Sequence, residues 1–166
     1  MVGSNDEPAK GIGARFFNAY RLTAYVLVLY ALGHTMGTVV STPRFGEQSD
    51  AVVGAMKTVH VVAQGADCTW YGFFRGFAVF VAIFLAFSSL LAWRLGGMTP
   101  EARAPLAPVT WALVAGYAVS LVTAWLWFFP VPIVFSGAVT VLLAVACAGD
   151  ARSRASAVSP HPHPST

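Results

Sequence analysis

The chain has 166 residues, enough for one domain, of which 57% are hydrophobic and only 10% are charged. A soluble domain carries about a quarter charged residues, so this chain is too poor in charge to cover its surface in water. Its net charge of +3 comes from basic residues scattered singly, which argues against a nucleic-acid partner. The composition predicts a protein whose main solvent is the lipid bilayer.

The first span is predicted at about residues 22–40. Residues 1–13 are small, polar and glycine-containing, which is typical of a disordered tail, and Arg15 and Arg21 follow. No charged residue then occurs from Leu22 to Pro43, and a span needs about 20 residues. A cleaved signal peptide is the alternative, but no small-x-small cleavage site follows the apolar run.

An extra amphipathic helix is predicted between the first and second spans. Charged residues are mixed with apolar ones from Ser41 to Gln64. Val53, Met56, Val59, His60 and Ala63 recur at helical spacing in this segment. We therefore expect an extracytoplasmic loop and then an amphipathic helix, over about residues 50–67, that lies on the membrane or dips into it.

Three more spans are predicted downstream. Trp70 and Tyr71 stand where an aromatic belt would begin a second span, at about residues 72–93. The 46 residues from Ala104 to Gly149 carry no charge, which is too long for one span. The prolines of Phe129-Pro130-Val131-Pro132 divide this stretch, giving spans at about 107–128 and 132–148. Residues 150–166 are predicted to be a disordered tail.

The predicted fold class is thus all-α membrane: a four-transmembrane-helix bundle over residues 14–149 with the extra amphipathic helix. Basic residues set its orientation. One side holds Lys10, Arg15, Arg21, Arg94, Arg103, Arg152 and Arg154, and the other holds Arg44, Lys57 and, at the boundary, Arg75. We expect both termini in the cytoplasm, as in a multi-pass protein of the inner (plasma) membrane.

Polar residues within the spans fall on one face of each helix. These stripes are Tyr20, Thr23, Tyr30, His34, Thr38 and Ser41 in the first span, Thr110, Tyr117 and Ser120 in the third, and Ser136, Thr140 and Cys147 in the fourth. Polar side chains are costly in hydrocarbon, so we expect each stripe to face the interior of the bundle.

A candidate site lies near the predicted outer leaflet. If one helix is continuous there, its polar residues lie within an arc of about 80°; they are His60, Gln64, Asp67, Tyr71 and Arg75. His34, His60 and Asp67 are the candidate catalytic residues. Tyr30, Gln64, Tyr71 and Arg75 are the candidate binding residues for a small lipidic molecule. Arg75 should find an anion, with Asp67 or Tyr71 the nearest.

Simpler roles are open for the same residues. Asp67 can N-cap the second span, and Arg75 can extend toward the membrane surface. His34 can be a core histidine bonded to Tyr30 or to a backbone carbonyl. Gly33 and Gly37 have the GxxxG spacing that favours close helix contact.

Two functions are therefore considered first. One is the binding or transformation of a small lipidic molecule, and the other is a structural or accessory subunit of a membrane complex without catalysis. His34 and His60 form a poor haem or metal signature, so no metal site and no cofactor is assigned. Ion-coupled transport would need an oligomer, and the sequence leaves both homo- and hetero-oligomers open.

Two motifs carry a resemblance to a known group of proteins. They are Gly33-His34-Thr35-Met36-Gly37 and Trp70-Tyr71-Gly72-Phe73-Phe74-Arg75-Gly76-Phe77. Over about residues 20 to 95 the chain resembles small, uncharacterised four-helix bacterial integral membrane proteins with a Gly-His-Thr-x-Gly motif in the first helix. The resemblance implies four helices and assigns no catalytic residue. The excess of arginine over lysine also fits a bacterial source.

Overall fold

Four helices in the computed structural model are long and apolar enough to cross a membrane. The structure describes residues 18–41 and 45–158, with side chains to residue 156. The four helices are Ala19–Val40, Trp70–Gly96, Pro100–Trp127 and Pro130–Ser156. The predicted fold class, including a shorter helix between the first and second spans, is confirmed. The tail predicted at residues 1–13 lies outside the described residues.

The elements follow one another with short connections. Helix α1 is Ala19–His34 and continues as a π-helix, Thr35–Val40; helix α2 is Glu47–Thr58; strands β1 and β2 are His60–Ala63 and Ala66–Thr69. Helix α3 is Trp70–Gly96, α4 is Pro100–Arg103, followed by a 3₁₀ turn Ala104–Leu106, α5 is Ala107–Trp127 and α6 is Pro130–Val158.

The segment predicted as one helix over residues 50–67 is helical only as far as Thr58 and then forms an antiparallel hairpin of β1 and β2. Its two-residue turn has positive φ at both positions, 51° at Gln64 and 82° at Gly65, as tight hairpins require. Val59, Val61 and Val62 are β-branched and favour strand. The condition of one continuous helix through residues 60–75, on which the predicted polar stripe depends, is therefore not met.

The last helix is longer than predicted. Its end was expected at residue 148, with a disordered tail from Asp150, but α6 continues to Val158. Residues 151–158 contain no Gly or Pro and include Ala and Arg, which have high helix propensity. The charged residue at position 150 therefore ends the uncharged stretch without ending the helix. The remainder of the predicted tail, residues 159–166, lies outside the described residues.

The first span ends in a π-helix, in which backbone N–H groups bond to carbonyls five residues earlier. Ser41 N–H donates to the carbonyl of Met36 at 3.0 Å, and the Thr38 hydroxyl donates to the carbonyl of His34 at 2.6 Å. A hydroxyl that bonds back to the preceding turn competes with the backbone N–H groups for that carbonyl. This competition accounts for the wider winding next to His34.

The described residues divide into two compact units, one within residues 24–92 and one of residues 18–23 with 93–158. In the first unit, α1 and α3 run antiparallel. The Ser89 hydroxyl donates to the carbonyl of Ala24 at 3.0 Å, and His34 Nε2 bonds to the carbonyl of Ala78 at 2.9 Å. The buried residues of this unit are mostly small, which lets helix backbones approach closely: Ala24, Leu27, Ala78, Leu85, Ser88, Ser89 and Ala92.

In the second unit, α5 and α6 pack through residues at seven-residue spacing, which is about two helical turns. Buried positions are Thr110, Tyr117 and Ala124 on α5 and Ser136, Leu143 and Asp150 on α6. The prediction that polar stripes face the interior is confirmed for Tyr20, Thr23, Thr110, Tyr117, Ser136 and Cys147, which are all buried.

Close backbone approach occurs at a different glycine from the one expected. A Cβ built at Gly33 or Gly37 would have no described atom within 4 Å. These two glycines therefore make no close helix contact with the described part of the chain. A Cβ at Gly96 would lie 2.9 Å from Cγ of Arg21. The Arg21 guanidinium lies 3.7 Å from the ring centroid of Trp93, so glycine at position 96 lets α1 begin directly against the end of α3.

Candidate functional site

Five polar residues gather where α2, the hairpin and α3 meet, in the unit of residues 24–92; we call them the hairpin-end cluster. They are Lys57, His60, Asp67, Tyr71 and Arg75. Sequence analysis proposed four of them and missed Lys57. Their arrangement differs from the predicted helical stripe because the chain reverses at Gln64 and Gly65.

The hairpin itself brings His60 and Asp67 together. In its register His60 is opposite Thr69, and Val62 is opposite Asp67. His60 and Asp67 are therefore diagonal neighbours on one face of the hairpin. Nδ1 of His60 lies 2.7 Å from Oδ1 of Asp67, with 58% and 62% of the two side chains exposed. Because a carboxylate accepts, the proton lies on Nδ1, and Nε2 stays available on the other side of the ring.

The turn and the start of α3 give Gln64, Asp67 and Thr69 roles that the sequence did not predict. Gln64 is a turn residue with φ of 51°, so its role is conformational. Asp67 lies within β2 and does not cap α3. The cap is Thr69, whose hydroxyl accepts a hydrogen bond from Gly72 N–H at 3.0 Å, as N-cap threonines do.

Two cations converge on the ring of Tyr71. Nζ of Lys57 lies 5.1 Å from the ring centroid, and Cζ of Arg75 lies 5.8 Å from it. Both distances are within the range of cation–π attraction, about 6 Å. Lys57 is in the last turn of α2, and Tyr71 is in α3. The attraction between the Lys57 ammonium and the electron-rich face of the Tyr71 ring therefore links the two helices.

Arg75 also forms a hydrogen bond with the C-terminal end of the first span. Its Nη2 donates to the carbonyl of Val39 at 2.6 Å, and carbonyls in the last turn of a helix lack intrahelical partners. Of the two partners predicted for Arg75, Tyr71 is in contact with it. Asp67 is not its partner, because the hairpin directs that carboxylate to His60.

His34 and His60 have separate partners. His34 Nε2 bonds to the carbonyl of Ala78, and since a carbonyl only accepts, Nε2 carries the proton. This is one of the two core contacts considered from the sequence. Tyr30 is half-buried on the same helix. His34 thus lies in the contact between α1 and α3, whereas His60 lies on the hairpin.

An exposed aromatic surface lies at the same end of α3 as the hairpin-end cluster. Trp70 and Phe73 have ring centroids 6.0 Å apart, and Phe73 and Phe77 have centroids 4.9 Å apart. At about 100° per residue, these rings lie roughly 150° around α3 from Tyr71 and Arg75. Phe77 is 56% exposed. Charged groups and an apolar surface therefore occupy different faces of one end of α3.

A second polar group, which we call the ion-pair cluster, lies in the other unit and consists of Tyr20, Arg103, Cys147 and Asp150. Arg103 binds the Asp150 carboxylate through Nε at 2.9 Å and Nη2 at 2.6 Å, with only 11% and 10% of the side chains exposed. The Tyr20 hydroxyl donates to Oδ2 of Asp150 at 3.0 Å and lies 3.7 Å from Sγ of Cys147.

The ion-pair cluster joins four helices of its unit. Nη1 of Arg103 donates to the carbonyl of Leu95, in the last turn of α3, at 3.1 Å, and to the carbonyl of Met98 just after that helix. Through Arg103, Asp150 and Tyr20 the cluster connects α4, α6 and α1 as well. Every polar group in it is used for holding helices together, so we assign it a structural role.

The sequence alone does not predict this pair, because each of the two residues borders an uncharged stretch. Asp150 begins the predicted tail, and Arg103 precedes the predicted third span. The available signal was the seven-residue spacing of Ser136, Leu143 and Asp150, which puts the carboxylate on the buried face of α6. Among the residues that the structure describes, no group of three or more His, Cys, Asp or Glu side chains is placed to hold a metal ion.

Comparison with known proteins finds no relative of this chain. No family model matches the chain, and no significant match occurs among curated proteins or solved structures. The function is therefore inferred from the geometry of the chain's own residues.

Replacing Asp150 with Asn should destabilise the protein strongly. Removing one partner of a buried ion pair leaves an uncompensated charge, at a cost of about 3–5 kcal/mol. The free energy of unfolding, measured by titrating the detergent-solubilised protein with SDS, should fall by about that amount for Asp150→Asn and for Arg103→Gln.

The matched control is Arg152→Gln, which removes an exposed charge from the same helix and should change stability by less than about 0.5 kcal/mol. If Asp150→Asn costs no more than Arg152→Gln, the ion pair does not hold the unit together.

Proposed function

We propose that this chain is an integral membrane protein that binds a lipidic molecule at the hairpin end of α3. The observation that carries the proposal is that the hairpin-end cluster and the exposed rings of Trp70, Phe73 and Phe77 lie at the same end of α3. An amphiphile has a polar head and an apolar tail, and each would meet a matching surface there. Tryptophan and tyrosine are also the residues enriched where lipid meets water.

The chemistry of the site supports binding more directly than catalysis. The His60–Asp67 pair has the relation by which a carboxylate orients a histidine base. Both side chains are more than half exposed, however, and His34 is engaged with the carbonyl of Ala78. We therefore propose that the cluster recognises the polar part of the ligand, with His60 contacting it through Nε2.

A second candidate, a structural or accessory subunit of a membrane complex, is favoured by a different observation. Three polar side chains of the first unit bond to backbone carbonyls of the facing helix: Arg75 to Val39, His34 to Ala78 and Ser89 to Ala24. Contacts of this kind stabilise helix association in membranes. In this alternative the polar stripes hold helices together and bind no small molecule.

We further propose that the hairpin end faces outward and that both termini are cytoplasmic, in the plasma (inner) membrane. Support comes from the distribution of lysine and arginine, which favours the cytoplasmic side. With the four spans as predicted from the sequence, seven basic residues would lie on the side of the termini and three on the side of the hairpin.

The orientation predicts which residues react with a membrane-impermeant maleimide added to intact cells. In a background of Cys68→Ala and Cys147→Ala, Val62→Cys on the hairpin should be labelled, whereas Ser153→Cys on α6 should be labelled only after the membrane is opened. The reverse pattern would contradict the proposed orientation.

Lipid binding predicts selective photo-crosslinking. Benzoylphenylalanine replacing Phe73 should capture a narrow set of lipids in native membranes, identified by mass spectrometry of the adduct. Benzoylphenylalanine replacing Trp125, an exposed residue of α5, should capture the bulk lipid mixture. Identical lipid profiles at the two positions would contradict the binding site, and adducts to a protein at position 73 would support the subunit alternative.

A further inference from the structure

Two basic residues, Lys57 and Arg75, converge on Tyr71 on the side of the membrane where few basic residues are predicted. Only Arg44, Lys57 and Arg75 are predicted on that side, and two of these three contact the same ring. Membrane topology disfavours basic residues there, so the pairing of two cations is not explained by orientation. Both cations contact the same ring, and an anion beside that ring would offset the repulsion between them.

The described residues supply no such anion. Neither Lys57 nor Arg75 has a carboxylate within ion-pair distance in the part of the chain that the structure describes. Asp67, on the neighbouring hairpin, is bonded to His60 at 2.7 Å. Glu47 and Asp50 lie in the first turn of α2 and Lys57 in its last turn. Asp50 is thus about 10 Å from Lys57 along the helix axis.

Arg75 is also held in one orientation. Its Nη2 is bonded to the carbonyl of Val39, while its Nη1 and Nε donors remain available. A guanidinium presents its remaining donors as a planar fork that matches two oxygens of a phosphate, and an ammonium acts beside it as a point charge. The ligand chemistry that suits the pair is therefore a phosphate.

We propose that Lys57 and Arg75 bind the phosphate of an anionic phospholipid, whose acyl chains lie against the exposed apolar surface at the same end of α3. This inference rests on the proposed lipid-binding function and names the class of lipid. Two cations that flank one phosphate favour a head group with no positive charge of its own, because the ammonium of a zwitterionic head group would be repelled.

Native mass spectrometry of the delipidated, full-length protein in non-ionic detergent tests the inference. Phosphatidylglycerol should be retained at least tenfold better than diacylglycerol or phosphatidylcholine with the same chains. Because each basic residue near a membrane surface contributes about fivefold to anionic-lipid binding, Lys57→Gln should reduce retention of phosphatidylglycerol about fivefold and leave diacylglycerol unchanged.

Variants separate charge from packing. Arg75→Gln should act like Lys57→Gln, and Arg75→Lys should retain most binding. Within the described part of the chain the Lys57 ammonium contacts the Tyr71 ring alone, so Lys57→Gln tests the inference even if Arg75 variants unfold. The control is Arg94→Gln, which removes an exposed cation near the other end of α3 and should leave binding unchanged.

Three results would overturn the inference. Equal loss in Arg94→Gln and Lys57→Gln would show a general charge effect. Equal retention of phosphatidylglycerol and diacylglycerol, with selective crosslinking at position 73 intact, would leave a lipid site that does not recognise phosphate. Displacement of phosphatidylglycerol by millimolar inorganic phosphate would assign the two cations to free phosphate instead.

Discussion

Hydrocarbon offers no hydrogen-bond partners, so each polar group placed in it must be satisfied by the chain itself. The buried pair of Arg103 and Asp150, where the spans end, follows the same rule. Arg103 donates to the Asp150 carboxylate and to the carbonyl of Leu95, and the Tyr20 hydroxyl donates to Asp150. In the other unit, the Ser89 hydroxyl donates to the carbonyl of Ala24 on the facing helix. These side chains therefore hold the helices in place.

The hairpin-end cluster departs from this pattern. Its carboxylate and histidine satisfy each other, but its two cations have only an aromatic ring and one carbonyl as partners among the described residues. Unpaired cations beside exposed aromatic rings are suited to the boundary between lipid and water, where phosphate oxygens are abundant. This contrast between satisfied and unsatisfied charges separates the proposed binding residues from the structural ones.

The sequence was sufficient to predict the four spans, because their length and lack of charge follow directly from the thickness of the bilayer. The hairpin was not predictable, since a four-residue run such as His60–Ala63 is too short for periodicity to distinguish strand from helix. Lys57 was missed because its contact with Tyr71 depends on the chain reversal at Gln64. Arg103 and Asp150 were missed because they are 47 positions apart and no local pattern connects them.

His34 gives the most direct test of the separation between structural residues and proposed binding residues. It is a candidate catalytic residue by sequence, and in the structure it lies in a contact between helices. We would measure retention of phosphatidylglycerol by the His34→Ala variant together with its free energy of unfolding. Loss of the bond to Ala78 should cost about 0.6 kcal/mol, and at most about 1.7 kcal/mol, and leave lipid retention unchanged. Loss of lipid binding with unchanged stability would contradict this separation and place His34 in the binding site.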